Sequence, residues 1–436
     1  MNNSFIKAFF VYGASAGLSR ILPLVMLPFY LHALGADNYG KVEIIIALFN
    51  LLIIFGLMQF ETGIQRLFYK FDTKEVLLTT TVVMTLFCSF VIASISILFA
   101  SDISKLLFQS EIEKGLVVVA ALTIFFANLS TINLVYIRFC ERVLAFSIIS
   151  ITQVMVTAGF SYLYIVELNY GPLGYLLGIA LGWVYTWIIT TVYICITGNV
   201  RLEFDRSCAH EIFLFSVPQL PARLASFFFQ FGNRFFILAY LGASAVAQIA
   251  LAFKFAAGLQ LIMFAFSMVW NPFIYKNENK EKLQENINKI FKCILAALLV
   301  LHLITIVLAE KIIKIFFEDD FLATIDYVGL ALFSVELLIV KEIVEAGVKL
   351  SSKTSRITYA YLISFSIMFL LMWFSRSVEH ILWAGIAGNF ILVVLTWYFS
   401  ERNYYVTFSK SAFLIYMIAS GAGVFFHNVL LNGSIV

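Results

Sequence analysis

Long apolar stretches broken by short polar turns run through the whole chain. A hydrocarbon core is crossed by about 20 apolar residues in a helix. On that measure, spans are predicted over 5–31, 42–69, 76–100, 115–140, 146–167 and 173–197. A polar stretch at 198–212 follows, and then come spans over 213–240, 244–275, 288–309, 324–350, 356–375 and 379–400. A further apolar stretch at 411–430 is a candidate thirteenth span. The runs are continuous and too long for the roughly 10-residue alternating segments of an outer-membrane barrel. The expected fold is an all-α polytopic membrane protein of about 12 transmembrane helices.

An internal repeat divides the spans into two sets. Leu34-Gly35-Ala36 ends the first span and Leu241-Gly242-Ala243 ends the seventh, 207 residues later. Both copies are followed by a short turn and a long apolar helix. Six spans is an even number, so the halves share orientation, as parallel repeats about an axis along the membrane normal do. The expected organisation is an N-terminal six-helix lobe at 1–200, a C-terminal six-helix lobe at 201–400, and the extra segment at 401–436. A substrate is expected in a central cavity between the two lobes.

Composition strengthens this picture. Hydrophobic residues make up 62% of the 436 positions and charged residues only 13%, against about 45–50% and about 25% in ordinary globular domains. A soluble protein cannot hide that much apolar surface, so a soluble enzyme is excluded. The net charge of +3 gives no reason to expect a nucleic-acid partner. Cys88, Cys140, Cys195, Cys208 and Cys293 form no CxxC pair and no metal-ligand spacing. The opening MNNSFIKAFF lacks a small-residue cleavage site and reads as the start of a first span rather than a removed signal peptide.

Charge in the turns sets an orientation. Turns after even-numbered spans hold 17 of the 29 Lys and Arg, and turns after odd-numbered spans hold 6. The even side is therefore read as cytoplasmic, with the N-terminus inside. If 411–430 spans, the C-terminus is outside.

Five basic residues remain inside predicted spans: Arg20, Arg223, Arg234, Lys254 and Lys341. Each costs about 2.5–3.5 kcal/mol at mid-bilayer, so each is expected to face a water-filled cavity or an acidic partner. Span seven carries the clearest pattern. Gln219, Arg223, Ser226, Gln230, Asn233 and Arg234 fall within an arc of roughly 100°. Pro218 and Pro221 near its start bend the helix or free carbonyls. Arg223 is near enough to the cytoplasmic end to snorkel to the headgroups, whereas Arg234 lies deeper.

The acids show two further patterns. In span two, Glu43, Asn50, Glu61 and Gln65 lie within about 60° of one another. Glu61 reads as a proton site, as a counter-ion to Arg20, or as half of a fixed ion pair. In span ten, Lys341 and Glu345 are four apart and can pair along the helix. Alternatively, Glu342 and Glu345 crowd each other in a proton or sodium relay. Lys254 has no acid on its own helical face.

Other motifs carry less. Gly174, Gly178 and Gly182 are spaced by four, as are Gly13 and Gly17, which lets helices approach closely. The stretch from Gly35 to Lys41 nearly spells a phosphate-binding loop, but Val42 stands where Ser or Thr is needed and no strand precedes it. His32, His210, His302, His380 and His427 are scattered and give no metal site. Glu318-Asp319-Asp320 reads as a solvated turn rather than a glycosyltransferase carboxylate pair.

The residues from Arg20 to Tyr30 (RILPLVMLPFY), then Leu34-Gly35, Tyr39-Gly40, and Gly63 followed by Arg66 and Tyr69, resemble the opening of bacterial polysaccharide flippases. Pro218 through Asn233-Arg234, Leu241-Gly242, Lys254 and Trp270-Asn271-Pro272 are similar to the same family. These are the Wzx-type flippases of lipid-linked oligosaccharides, in the superfamily that also holds the multidrug MATE exporters and the lipid II flippase. Family members often carry Asp before the arginine of span seven, where this chain has Asn233. The resemblance implies two six-helix lobes around a central cavity. It also implies translocation of an undecaprenyl-diphosphate-linked oligosaccharide across the bacterial inner membrane, for O-antigen or another surface polysaccharide. A polysaccharide polymerase and chain-length machinery are then the partners to look for, beside membrane lipids.

A cavity rich in Arg and Lys suits an anionic diphosphate, which Arg grips with two parallel hydrogen bonds. A cavity for cationic drugs is expected to be acidic instead. The expected substrate site is therefore Arg20, Arg223, Arg234 and Lys254, with Glu61, Glu342 and Glu345 for ion coupling or for balancing those charges. No cofactor is expected. Protons, sodium or the substrate gradient alone remain open as the driving force. Two rival readings are a membrane-embedded polymerase or glycosyltransferase, disfavoured by turns of only about 10–15 residues, and a multidrug or small-solute antiporter.

Overall fold

A run of 55 residues without a loop opens the computed structural model: α1, Asn3–Leu57. It contains Pro23 and Pro28, and it is bent at Gly35, whose backbone (φ 69°, ψ 173°) is not helical. That region of backbone space is essentially reserved for glycine. The apolar part, Gly17–Leu57, has 41 residues and is long enough for two passes through a core of about 30 Å. At the repeated tripeptide, Gly242 likewise has a positive φ of 86° and joins two helices without a loop. The Leu-Gly-Ala repeat thus marks two hinges of one kind. With no atom within 4 Å of a Cβ placed on Gly35, the cost of a side chain there is purely backbone strain. Gly35→Ala is expected to lower stability by about 1–3 kcal/mol, seen as a lower thermal midpoint in detergent. An unchanged midpoint would show that the hinge relaxes into an ordinary helix.

The structure describes residues 3–198, 201–276, 283–351, 355–403 and 407–433. Within these it describes side chains outside 3–16, 20, 261–265, 267–269, 271–273, 275–276, 283, 355, 403 and 426–433. The side chains of Arg20, Asn271, Pro272 and His427, and the turn residues Lys280, Lys282 and Lys353, therefore lie outside the described residues. Among the described residues every regular element is a helix and there is no strand.

The chain forms two compact units, Met1–Phe227 and Phe228–Val436. After α1 come α2 (Phe60–Leu67), α3 (Lys74–Leu98), α4 (Ala100–Phe108), α5 (Lys114–Phe139), α6 (Val143–Tyr162), α7 (Gly171–Thr197) and α8 (Arg206–Ser216). The unit boundary falls within α9 (Leu220–Leu241). Then follow α10 (Ala243–Lys276), α11 (Leu283–Phe316), α12 (Thr324–Val344), α13 (Ala346–Leu350), α14 (Ser355–Phe374), α15 (Val378–Asn403) and α16 (Lys410–Gly433). Among the described residues, eleven helical segments are long and apolar enough to cross a membrane, the kinked Gly17–Leu57 counting as one. At the predicted thirteenth span the described apolar helix, Lys410–Phe425, is shorter than these.

In the first unit, α6 packs on α7 through small residues. A Cβ on Gly174 would crowd Tyr164, and one on Gly178 or Gly182 would overlap Ser161 or Thr157. The glycine spacing thus serves close helix packing. Buried hydroxyls bond back to the carbonyl one turn earlier, as Thr81 does to Leu77 (2.7 Å), Thr123 to Val119 (2.6 Å) and Thr186 to Gly182 (2.7 Å). Cross-helix bonds join Asn128 to Ser89 (2.8 Å) and Asn133 to Thr190 (3.1 Å). The outward faces carry exposed apolar side chains such as Phe87 (66%) and Leu98 (77%), as a surface against lipid requires.

The second unit is built around α12. It packs against α10, α11, α15 and α16. The span Asp319–Leu350 has 78% of its most apolar stretch buried, against 22% for Arg356–Phe374. Asn389 of α15 donates to the Ser334 carbonyl and hydroxyl (3.0 and 2.8 Å), and the Gly347 amide donates to Ser400 (2.8 Å). A helix enclosed in this way has no lipid to face, so its charged residues must find partners within the unit.

Candidate functional site

The local sequence around α9 explains its shape. Asp205 caps α8, its Oδ1 accepting from the amides of Ser207 (2.7 Å) and Cys208 (3.4 Å). Pro218 then forces one turn of 3-10 helix at Val217–Gln219, and Pro221 sits at the start of α9, where its missing N–H costs least. Gln219 Nε2 donates to the Phe215 carbonyl at this irregular turn (2.8 Å).

Beyond the turn, two faces of α9 differ sharply. One face is aromatic and zipped to α14. Ring centroids lie 5.0 Å apart for Phe228–Phe365, 5.8 Å for Phe229–Tyr361 and 5.3 Å for Phe236–Phe369. Tyr240 donates its hydroxyl to the Trp373 carbonyl (3.2 Å), and Arg376 covers the Tyr240 ring at 4.4 Å. On α14 the rings of Tyr361, Phe365, Phe369 and Trp373 recur every four residues, so they form one stripe. Helical geometry puts Gln219, Arg223, Ser226, Gln230 and Arg234 on the other face. Arg223 and Gln230 are exposed, whereas Asn233 and Arg234 are buried. The Arg234 guanidinium donates to the Gln230 carbonyl (3.2 Å) and lies 4.8 Å over the Phe231 ring.

Span two ends earlier than the hydrophobic pattern suggests. Met58 (φ 49°) and Gln59 (φ 62°) take left-handed backbone, which closes α1 at Leu57. The short α2 then packs on α8 at Gly63, where any Cβ would run into Ile212 and Ser216. Glu61 therefore lies past the end of the apolar segment that closes at Leu57. Its Oε2 is buried and, among the described residues, has no hydrogen-bond partner. Burial pushes this carboxyl up to about 7, opposed by its own backbone N–H and by the Arg223 charge. Among the described residues the cation that acts on Glu61 is Arg223; the side chain of Arg20, the expected counter-ion, lies outside the described residues. Of the other acid in this stripe, Glu43, one oxygen is held by the Tyr39 hydroxyl (2.6 Å).

The acids of α12 are held by lysines rather than crowded together. Lys341 pairs with Glu345, and Lys349 pairs with Glu342. The cross distances are 4.0 Å for Lys341–Glu342 and 3.9 Å for Lys349–Glu345. Lys341 also sits 5.0 Å over the Tyr361 ring of α14. Lys349 lies at the very end of the predicted span 324–350, next to the turn that follows it. It belongs to α13, which continues the axis of α12 after one residue and brings Lys349 back to Glu342. The quartet is charge-neutral and mostly buried, an arrangement suited to fixed balance rather than to a relay.

Within each unit, then, the predicted residues fall into separate groups. The Arg223 charge acts on Glu61 in the first unit. Arg234, half-buried Lys254, and the Glu342–Glu345 quartet are in the second. Sequence reasoning missed the contact of His302 with Glu336 (2.9 Å) and of Tyr416 with Glu336 (2.6 Å). The three residues lie on different helices, so no local pattern could have joined them.

Comparison with known proteins bears on both fold and family. The chain is similar in structure to the lipid II flippase MurJ in an inward closed conformation (TM-score 0.74, 14% identity, 98% of this chain and 99% of that one). It is also similar to a multidrug resistance MATE family transporter of the MOP superfamily in an inward-facing conformation (TM-score 0.69, 14% identity, 88% and 94%). A Vibrio cholerae MATE transporter gives a TM-score of 0.65 at 14% identity, over 92% and 96%. No curated protein sequence matches the chain. At these identities the structural likeness speaks for the fold, a multi-pass membrane transporter fold. Residues 5–278 match the family model described as polysaccharide biosynthesis protein, which covers more than half of the chain. On that match, the chain belongs to the polysaccharide biosynthesis protein family.

Proposed function

We propose that this protein is a flippase that carries undecaprenyl-diphosphate-linked oligosaccharide units from the cytoplasmic to the outer leaflet of the bacterial inner membrane by alternating access. The observation that carries this reading is α9: an apolar span whose aromatic face is sealed against α14 and whose separate polar stripe carries two arginines, Arg223 exposed and Arg234 buried. Guanidinium groups are the residue type best matched to a diphosphate. The family match and the similarity to a lipid II flippase support a lipid-linked substrate.

In this reading Arg223 and Arg234 take the diphosphate, with Arg20 and Lys254 as further cationic contacts. Glu61 competes with the substrate for Arg223. Glu342 and Glu345 balance the lysines of α12 and α13. The chain acts as a transporter and not as an enzyme, with the N-terminus in the cytoplasm, and the polymer-building machinery consumes what it delivers.

Deletion of the gene in its host tests the proposal. Surface polymer is expected to vanish while single lipid-linked units accumulate facing the cytoplasm. Units that reach the outer leaflet but stay unpolymerised would instead identify a polymerase.

A further inference from the structure

Glu336 lies at the middle of α12 and is fully buried, at 0% exposure. Among the described residues no lysine or arginine pairs with it. Its two oxygens are held from two other helices. His302 on α11 places Nδ1 2.9 Å from Oε1, and Tyr416 on α16 donates its hydroxyl to Oε2 at 2.6 Å. An ionised carboxylate there requires the imidazole proton on Nδ1. Nε2 is then a bare lone pair, and among the described residues it is buried without a hydrogen-bond partner. It faces α16 at Gly423, where even an added Cβ would lie 3.8 Å away, so a small space remains beside it.

Among the described residues nothing in the surroundings balances the carboxylate. Phe333 packs edge-on against Tyr416, and Ile306 and Val424 close the wall at Gly329. On α12 the nearest charges beyond Glu336 are Lys341, Glu342 and Glu345, which pair with one another and with Lys349 of α13. The helices packed around carry Lys254 on α10, Glu285, Lys289, Lys292, Glu310, Lys311 and Lys314 on α11, Lys410 on α16, and Glu379, His380, Glu401 and Arg402 towards the ends of α15, while the side chains of Lys276 on α10 and His427 on α16 lie outside the described residues. Among the described residues, none of these bonds to His302, Glu336 or Tyr416. With a neutral imidazole the cluster holds one net negative charge in an apolar setting, which is costly. One cation small enough for the space is a proton.

We propose that His302, Glu336 and Tyr416 form a proton-binding site inside the second unit, and that the bound proton fixes α16 to α11 and α12. The proton comes from hydronium: one of its O–H bonds breaks, leaving water, and one N–H bond forms at the His302 Nε2 lone pair. The cluster becomes an imidazolium–carboxylate pair of zero net charge. When the proton leaves, the remaining charge draws in water and loosens the Tyr416 contact. This inference is independent of the transported substrate.

Thermal unfolding of the purified full-length protein in detergent, from about pH 5 to about pH 9, tests it. The packed state holds a proton that the opened state releases, so the midpoint of the wild type is expected to fall as pH rises. One such proton weakens the docking of α16 up to about tenfold per pH unit. Glu336→Gln keeps the shape but removes the charge: its amide oxygen accepts from the Tyr416 hydroxyl and its NH2 donates to His302 Nδ1, which moves the imidazole proton to Nε2, and the substitution is expected to flatten the profile. His302→Gln is expected to do the same. If these variants do not fold, hydrogen exchange of the wild type, corrected for its intrinsic pH dependence, serves instead. Protection is then expected to be lost selectively in α16 at high pH. A pH profile that survives both substitutions, or equal protection of α16 across the range, would overturn the proposal.

Discussion

Lys341→Met is expected to destabilise the second unit by about 3–5 kcal/mol, the cost of leaving a buried charge without its partner. Lys341 and Glu345 each have only 8% of the side chain exposed. Removing the lysine leaves Lys349 to hold two carboxylates, one of them 3.9 Å away. The folded yield and the thermal midpoint in detergent should both drop. Lys341→Met combined with Glu345→Gln should recover most of the loss, because it removes charge from both sides, and a double-mutant cycle measures the coupling. Lys314, paired with Glu310 at 2.7 Å but with 55% of its side chain exposed, provides the control. Exposed pairs of that kind contribute little. A midpoint shift for Lys341→Met no larger than that for Lys314→Met would mean that the quartet is hydrated.

Arg234→Ala is expected to slow flipping about tenfold to a hundredfold at normal protein levels. That range corresponds to the loss of about 1.5–3 kcal/mol of charge-assisted hydrogen bonding to an anionic headgroup. Arg234→Lys keeps the charge but not the planar fork, so it should fall between the two. Arg223→Ala should cost less, because Arg223 is exposed and its charge already acts on Glu61. Flipping of a labelled lipid-linked oligosaccharide in proteoliposomes reads all three. Wild-type rates for Arg234→Ala, with equal incorporation, would remove this residue from the substrate site.

Much of the fold was legible in the sequence because lipid leaves few options. Length and apolarity alone locate the spans, and the repeated glycines mark the places where two helices join without a loop. Helix ends were less legible. The hydrophobic pattern runs through Met58 and Gln59 without a Gly or Pro to signal the left-handed break that ends α1. The pairing of Lys349 with Glu342 was not legible either, because the two are seven residues apart and meet across the junction of α12 and α13. The polar stripe of α9 was readable because it repeats along a single helix. The bonds of Glu336 were not, because His302 and Tyr416 reach it from 34 and 80 residues away.

The interlocked rings between α9 and α14 have a mechanical consequence. Rings that mesh once per turn resist creep along the helix axis, so the two helices can slip only in jumps of about 5.4 Å. Any smaller displacement of Arg234 must carry α14 with it. Tyr359, with 61% exposure, and Ile363, with 46%, lie on α14 away from the mesh and make no part of the proposed substrate site. A spectroscopic probe at either position would follow the arginine stripe as a passenger, reporting each stroke of the cycle without touching the cargo.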